Sequence, residues 1–420
     1  MTTTQGKIVR TEPAARGTRF ALAALALAAC VIDAKADVIT DWNAKAGELV
    51  VESKLGTPPA VRAMAIVQTA VHEAVNAITG RYPSNGIQLA PAQGASVEAA
   101  VAAANRATLE KLIPAQQASI DSAYQAALGS IGDGASKSAG IAVGERAAAA
   151  VLASRADDSA IAPEKYRPHA AAGHYVPTAI PAVPQWPLRK PWLMASASQF
   201  RPGPPPALAS GLWARDYNEV KALGGRNSTQ RNAGQTEIAR FWEYSLPPIY
   251  HGVVRSVAGM PGREPAQNAR LFAAVAQAMD DAMIAVFDAK YHYNFWRPST
   301  AIRNADIDGN DATEPEAGWT PFIETPMHPE YPSAHSILAA SVATVLRAEV
   351  GDGAMPVLAT SSPTAKGAVR RWAQIDDFVQ EVSDARIYEG VHFRTSTEAG
   401  AAMGRQVGEL AVARQLRAPQ

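Results

Sequence analysis

The sequence has a single cysteine, Cys30, in 420 residues. One cysteine cannot pair within its own chain, so no disulfide framework holds this fold. A surplus of charge is also missing: Lys and Arg together number 39, as do Asp and Glu. That balance argues against a nucleic acid or any other general polyanion as partner, and makes any affinity for anions local. Beyond residue 36 there is no apolar run of 18 residues, which excludes a transmembrane helix in that part of the chain. A set of alternating, β-branched runs is absent too, so a β-sandwich or barrel is not expected. What remains, with 47% hydrophobic and 19% charged residues, is a chain that can pack a large core.

Residues 1–36 read as an export signal. A basic stretch with Lys7, Arg10, Arg16 and Arg19 precedes the apolar run Phe20 to Ile32, which is too short to span a bilayer comfortably. Two processing sites compete: the small-x-small pattern Ala34-Lys35-Ala36, which would leave Asp37 first, and the lipoprotein-box pattern Leu27 to Cys30, which would put a lipid anchor on Cys30. Either implies a periplasmic or secreted protein. Losing residues 1–36 removes five basic and two acidic side chains and leaves a mildly acidic remainder.

The rest of the chain reads as helices divided by turn chemistry, and the fold class expected is all-α. Apolar residues recur at helical spacing over 58–78, 95–112, 115–129 and 134–154, giving an N-terminal helical half at 37–162. Residues 163–206 hold eleven of the thirty prolines and cannot be helical. Their Tyr175, Trp186, Trp192 and Leu193 favour an extended strap laid over the helices rather than a loose linker. Helical patterns return at 208–223, 232–245, 265–289, 334–349, 367–383 and 396–416, so residues 207–420 form a C-terminal helical bundle.

Three clusters in that bundle carry chemistry. "KYHYNFWRP" sets Lys290 and Arg297 seven residues apart, two turns on one side of a helix if the helix persists. "HPEYPSAHS" places His328, Ser333 and His335 just before an apolar helical run, where unpaired amides and the helix dipole favour an anion. "ARIYEGVHFRTS" contains Arg386 six residues before His392. Taken singly, a Lys and an Arg are a solvated helix face and Pro-Ser is a helix cap. Together Lys290, Arg297, Arg386, the Ser333 hydroxyl and the histidines His335 and His392 are an inventory suited to a tetrahedral oxyanion such as phosphate or vanadate.

The order K-x6-RP, PS-x-H, R-x5-H resembles the signature of the superfamily uniting vanadium-dependent haloperoxidases with type 2 phosphatidic acid phosphatases and bacterial acid phosphatases. Weaker similarity at Val38 to Asn43 and Arg62 to Ile78 extends the resemblance to soluble bacterial haloperoxidase-like proteins. The resemblance implies helical bundles around one site. In it Lys290, Arg297, Arg386, Ser333 and the backbone N–H of Ala334 would hold the oxyanion oxygens, and His335 would be the acid–base group. His392 would bond the central atom, as the vanadium ligand of a peroxidase or the nucleophile of a phosphatase. His328, five residues before Ser333, stands where bromide-oxidising relatives often have histidine.

Three positions depart from the family pattern: Ala334 in place of Gly, Ala385 in place of Ser, and Ser396 in place of an Asp four residues after the second histidine. Ala334 keeps its N–H, but Ser396 offers His392 a hydrogen bond without a charge. The resemblance therefore implies an exported enzyme that uses vanadate, hydrogen peroxide and halide. An acid phosphatase acting on phosphomonoesters through the same pocket, and a non-catalytic oxyanion-binding protein, are the alternatives.

Overall fold

The computed structural model describes residues 1–2, 37–83 and 86–416. Residues 3–36, with Cys30 and nearly all of the expected export signal, lie outside the described residues. Among the described residues are α1 (Val38–Glu52), α2 (Thr57–Thr79), α3 (Val97–Leu112), α4 (Gln117–Gly129), α5 (Ala135–Ser154), α6 (Gly211–Gly224) and α7 (Ala233–Trp242). They are followed by α8 (Pro247–Ala258), α9 (Pro265–Tyr293), α10 (Pro298–Arg303), α11 (Ala334–Val350), α12 (Ile375–Tyr388) and α13 (Arg394–Ala411). One antiparallel hairpin, β1 (Leu358–Ser362) with β2 (Ala368–Trp372), stands between α11 and α12.

The long helix α9 is the axis of the core. From Leu271 to Phe287 every residue is buried, so the helix is enclosed on all sides rather than on one stripe. It packs against α2, α11 and α13. Two carboxylates interrupt its apolar surface, and both are used. Asp280 takes two hydrogen bonds from the buried Arg189 guanidinium, at 2.5 and 3.0 Å. Asp281 accepts the backbone N–H groups of Trp192, Leu193 and Met194 at 2.7–3.0 Å. Arg189 also donates to Asp158 at 2.8 Å. Residues 163–206, which contain no α-helix, are thereby tied to α9 through a desolvated network. Deleting one partner from such a network typically costs about 3–5 kcal/mol.

Helices α11 and α13 cross closely because α13 turns glycines toward α11. A Cβ on Gly404 would lie 2.3 Å from the Ile337 carbonyl oxygen, and one on Gly400 would lie 2.5 Å from that of Ser333. This approach sets Ser333, the N-cap of α11, against the first turn of α13, where its N–H donates to the Ser396 carbonyl at 3.0 Å.

Two expectations change. The helical pattern over 367–383 is a strand at 368–372 and a helix only from Ile375. Gly367, at φ 77°, closes the hairpin, and Trp372 pairs with Leu358 while packing against Phe241, Trp242 and Phe378. Tertiary burial of the aromatic outweighs local propensity there. Nor does the helix persist from Lys290 to Arg297. It ends at Tyr293, where Asn294 takes a left-handed conformation (φ 50°, ψ 39°), and Arg297 is the N-cap of α10.

Candidate functional site

Three chain reversals bring the motifs together. The break at Asn294 turns Arg297 back toward the end of α9. The segment 328–333 runs in front of both, with the Glu330 N–H donating to the Phe295 carbonyl at 2.9 Å. The third reversal, between α12 and α13, depends on Gly390 at φ 76°. A Cβ there would also sit 2.3 Å from the Gly224 carbonyl oxygen, so the position needs both glycine's backbone freedom and its lack of a side chain. This turn places His392 beside Arg386, whose carbonyl accepts the His392 N–H at 3.3 Å.

The cations are buried. Lys290 is fully enclosed and its Nζ donates to the carbonyls of Glu330 and Pro329 at 2.7 and 3.1 Å. Arg297 Nε and Nη1 donate to the His328 and Val391 carbonyls at 2.9 and 2.7 Å, and Nη1 lies 3.4 Å from His392 Nε2. Arg386 pairs with Glu389, and its Nε is buried without a hydrogen-bond partner. Burial and the neighbouring guanidinium of Arg297 push the Lys290 ammonium well below its ordinary pKa. Burial, with Arg386 nearby, also lowers Arg297 to about 10 despite Glu330. An anion placed among these groups would reverse both shifts, since it restores the charge stabilisation that burial removed.

The histidines are held neutral. Burial, and after it the surrounding cations, puts His328, His335 and His392 well below the usual imidazole range. Arg297 Nη2 donates to His328 Nδ1 at 2.9 Å. His335 Nε2 lies 3.4 Å from Arg386 Nη1, and its ring hydrogen-bonds the Trp242 backbone. His392 Nδ1 lies 2.7 Å from Glu330 Oε1, which also accepts the Phe393 N–H at 3.0 Å. Desolvation raises Glu330 to about 7 against the pull of Lys290 and Arg297, and raises Glu389 to about 8 against that of Arg386.

Ser333, fully buried, accepts hydrogen bonds from the Ser336 N–H at 3.4 Å and the Ser336 hydroxyl at 3.1 Å, and Ser336 in turn accepts from Ser383 at 3.2 Å. The chain of donors leaves the Ser333 hydroxyl proton free to point at a ligand. Alongside it, the first-turn amides of Ala334 and His335 have no acceptor within α11. The open side of this cluster is a cavity of about 430 Å³ lined by Ala334, His335, Arg386, His392, His328 and, further out, apolar groups such as Phe287 and Leu338. Arg386, the start of α11 and neutral imidazoles line this cavity, and Lys290, Arg297 and Ser333 are buried next to them, a set that can bind a tetrahedral oxyanion.

Comparison with known proteins agrees with this geometry. A family model described as the VCPO second helical-bundle domain matches residues 270–419. The vanadium chloroperoxidase of Curvularia inaequalis is 30% identical over 190 residues, covering 36% of this chain and 30% of that protein. The crystal structure of the first bacterial vanadium-dependent iodoperoxidase superposes with a TM-score of 0.76 at 25% identity, over 90% of this chain and 96% of that one. Residues 270–419 are similar to the second helical-bundle domain of the vanadium haloperoxidases, and the fold as a whole is that of a bacterial vanadium-dependent iodoperoxidase. At lower identity, 17%, the holo form of a bacterial vanadium-dependent chloroperoxidase shares the fold with a TM-score of 0.66, over 86% of this chain and 93% of that one.

Within the matched region, Lys290, Arg297, His328, Ser333, Ala334, His335, Arg386 and His392 all meet at one place, although they come from α9, α11, α12 and the connections between the helices. Ser396 Oγ is 3.4 Å from His392 Nδ1, farther than the carboxylate of Glu330. Sequence reasoning missed Glu330 and Glu389. Glu330 stood inside the quoted nine-residue stretch, but nothing local tied it to His392, 62 positions away. Glu389 lies three residues past Arg386, the spacing of a helical ion pair, and that signal was legible.

Proposed function

We propose that this protein binds vanadate among Lys290, Arg297, Ser333, Ala334, Arg386 and His392 and oxidises halide with hydrogen peroxide. One observation carries the reading: His392 Nε2, on a neutral imidazole, faces the Arg297 guanidinium inside a cluster of buried cations. The residues fit the group. Arg386 Nε is a buried donor lacking an acceptor, and the three cations outnumber the two buried carboxylates Glu330 and Glu389. A buried surplus of positive charge calls for an anionic occupant.

Vanadate, when bound, supplies a Lewis-acidic centre that makes a peroxide oxygen transferable to halide. Everything else is the work of the chain. Lys290, Arg297 and Arg386 neutralise oxyanion charge in a desolvated setting, where each interaction is stronger than in water. Ser333 and the first-turn amides of α11 orient the oxygens. His392 presents an unprotonated Nε2. His335, neutral and at the cavity wall, accepts and returns a proton at Nε2. Halide oxidation by peroxide to hypohalous acid and water takes up one proton, and a neutral imidazole facing the cavity is placed to relay it. Residues 1–36 make the protein an exported one in this reading.

The test is direct. Protein incubated with orthovanadate should oxidise bromide or iodide with hydrogen peroxide and lose that activity on removal of vanadate. Hydrolysis of a phosphomonoester by vanadate-free protein, without any peroxide-dependent halide oxidation, would replace this reading with the phosphatase one.

A further inference from the structure

A buried carboxylate has no obvious reason to come from residue 330. The family pattern puts it four residues after His392, and here that position is Ser396. Glu330 nevertheless delivers Oε1 to within 2.7 Å of His392 Nδ1, whereas Ser396 Oγ stays at 3.4 Å. The shorter, charge-assisted contact is much the stronger of the two.

The backbone around Glu330 leaves the side chain little choice. Its N–H donates to Phe295 at 2.9 Å, its carbonyl accepts Lys290 Nζ at 2.7 Å, and the residue is fully buried. Oε1 also accepts the Phe393 N–H at 3.0 Å, so the ring and the backbone on either side of the His392–Phe393 bond are gripped by one oxygen. An oxygen that already accepts an N–H offers a lone pair, and not a proton, to a second partner, so it accepts a donor at Nδ1. It therefore selects the tautomer with hydrogen on Nδ1 and a bare lone pair on Nε2, the atom facing Arg297.

We propose that Glu330 is the positioning residue of His392: it fixes the Nδ1–H tautomer and ring orientation, doing from the segment before α11 what a carboxylate at 396 would do from α13. The proposal rests on the reading above only in supposing that Nε2 meets the oxyanion. The competing view is that Glu330 merely caps the Phe393 N–H at the start of α13. Glu330→Gln separates the two, because glutamine keeps an acceptor oxygen and nearly the same volume but not the charge.

The side-chain ¹⁵N spectrum of ligand-free protein, with His392 assigned by its loss in His392→Ala, should show one tautomer, protonated at Nδ1. In Glu330→Gln that signature should give way to a mixture, and orthovanadate retention should fall about 10–100-fold, the usual cost of losing a group that orients a ligating histidine. Moving the carboxylate, as Glu330→Ala with Ser396→Asp, should recover the single tautomer and most of the retention lost in Glu330→Ala alone. A Glu330→Gln protein with wild-type His392 signals and wild-type orthovanadate affinity overturns the proposal. So does a double variant that melts normally yet gains nothing over Glu330→Ala. Should the tautomer depend on Glu330 while wild-type protein takes up no orthovanadate, the positioning role stands and the vanadate reading fails.

Discussion

Arg297 holds His328 at two points, donating Nη2 to the ring Nδ1 at 2.9 Å and Nε to the backbone carbonyl at 2.9 Å. A guanidinium only donates, so this bond uses an Nδ1 lone pair; the Pro329 carbonyl, 3.2 Å from the same nitrogen, competes as an acceptor, and the shorter contact to Arg297 favours the tautomer with N–H on Nε2. Arg297→Ala should weaken orthovanadate binding by roughly 2–5 kcal/mol, the cost of truncating one partner of a desolvated charged contact. His328→Ala removes a bond that orients Arg297, worth about 1.5–3 kcal/mol because the guanidinium is charged, together with the ring's edge contact to Phe287. Arg303→Ala, whose Nε donates to the Trp319 carbonyl at 2.8 Å away from the cavity, is the control. Arg394 is no such control, since it pairs with Glu219 and Asp384. Equal losses in all three variants, read by equilibrium titration, would contradict the assignment of Arg297 to the oxyanion.

His335 and His392 should fail in different ways. His392→Ala should abolish retention of vanadium on gel filtration. His335→Ala should retain it and turn over about 10²–10⁴-fold more slowly, as expected for a lost general acid–base group. Vanadium content and bromide oxidation measured on both proteins decide the matter. A His335→Ala protein that loses its metal while His392→Ala keeps it would exchange the two roles.

Gly390→Ala should damage both fold and site. The new methyl meets the Gly224 carbonyl oxygen, a backbone atom that cannot swing away, at a φ of 76° where a Cβ is already strained. Strain and overpacking together should lower stability by about 2–4 kcal/mol. Chemical denaturation measures the loss, and oxyanion affinity should drop with it because the same turn aims His392. Gly203→Ala, with nothing within 4 Å of the new Cβ, should change neither by much.

Glu73 provides a pH-dependent test of burial remote from the cations. Desolvation on α2 raises its carboxyl from 4.5 to about 7. Between those values the folded protein keeps a proton that the unfolded chain has released. The folded state binds more protons, so the contribution of Glu73 to stability falls as pH rises and is fully lost above about 7. Glu73→Gln has no proton to lose. Its stability relative to wild type should improve by up to about 3 kcal/mol between pH 4.5 and pH 8. A difference that stays constant across that range in urea titrations would show that Glu73 is not held protonated by the fold.

The sequence by itself determined the helical class, the absence of disulfide support and which residues were candidates for one shared site. Helical periodicity and motif spacing are local properties, and Ser333 before an apolar run is a cap whatever surrounds it. Its reach ended where distant segments meet. Whether Lys290 and Arg297 share a helix depended on Asn294 turning left-handed, and whether Trp372 sits in a helix or a strand depended on the aromatic groups waiting to cover it. The charge that Ser396 lacks was supplied by Glu330, and no spacing rule joins residue 330 to residue 392. Only the packing of α11 on α13 and the tight turn at Gly390 bring that carboxylate within 2.7 Å of the imidazole, because a hydrogen bond is decided by final distance and not by separation along the chain.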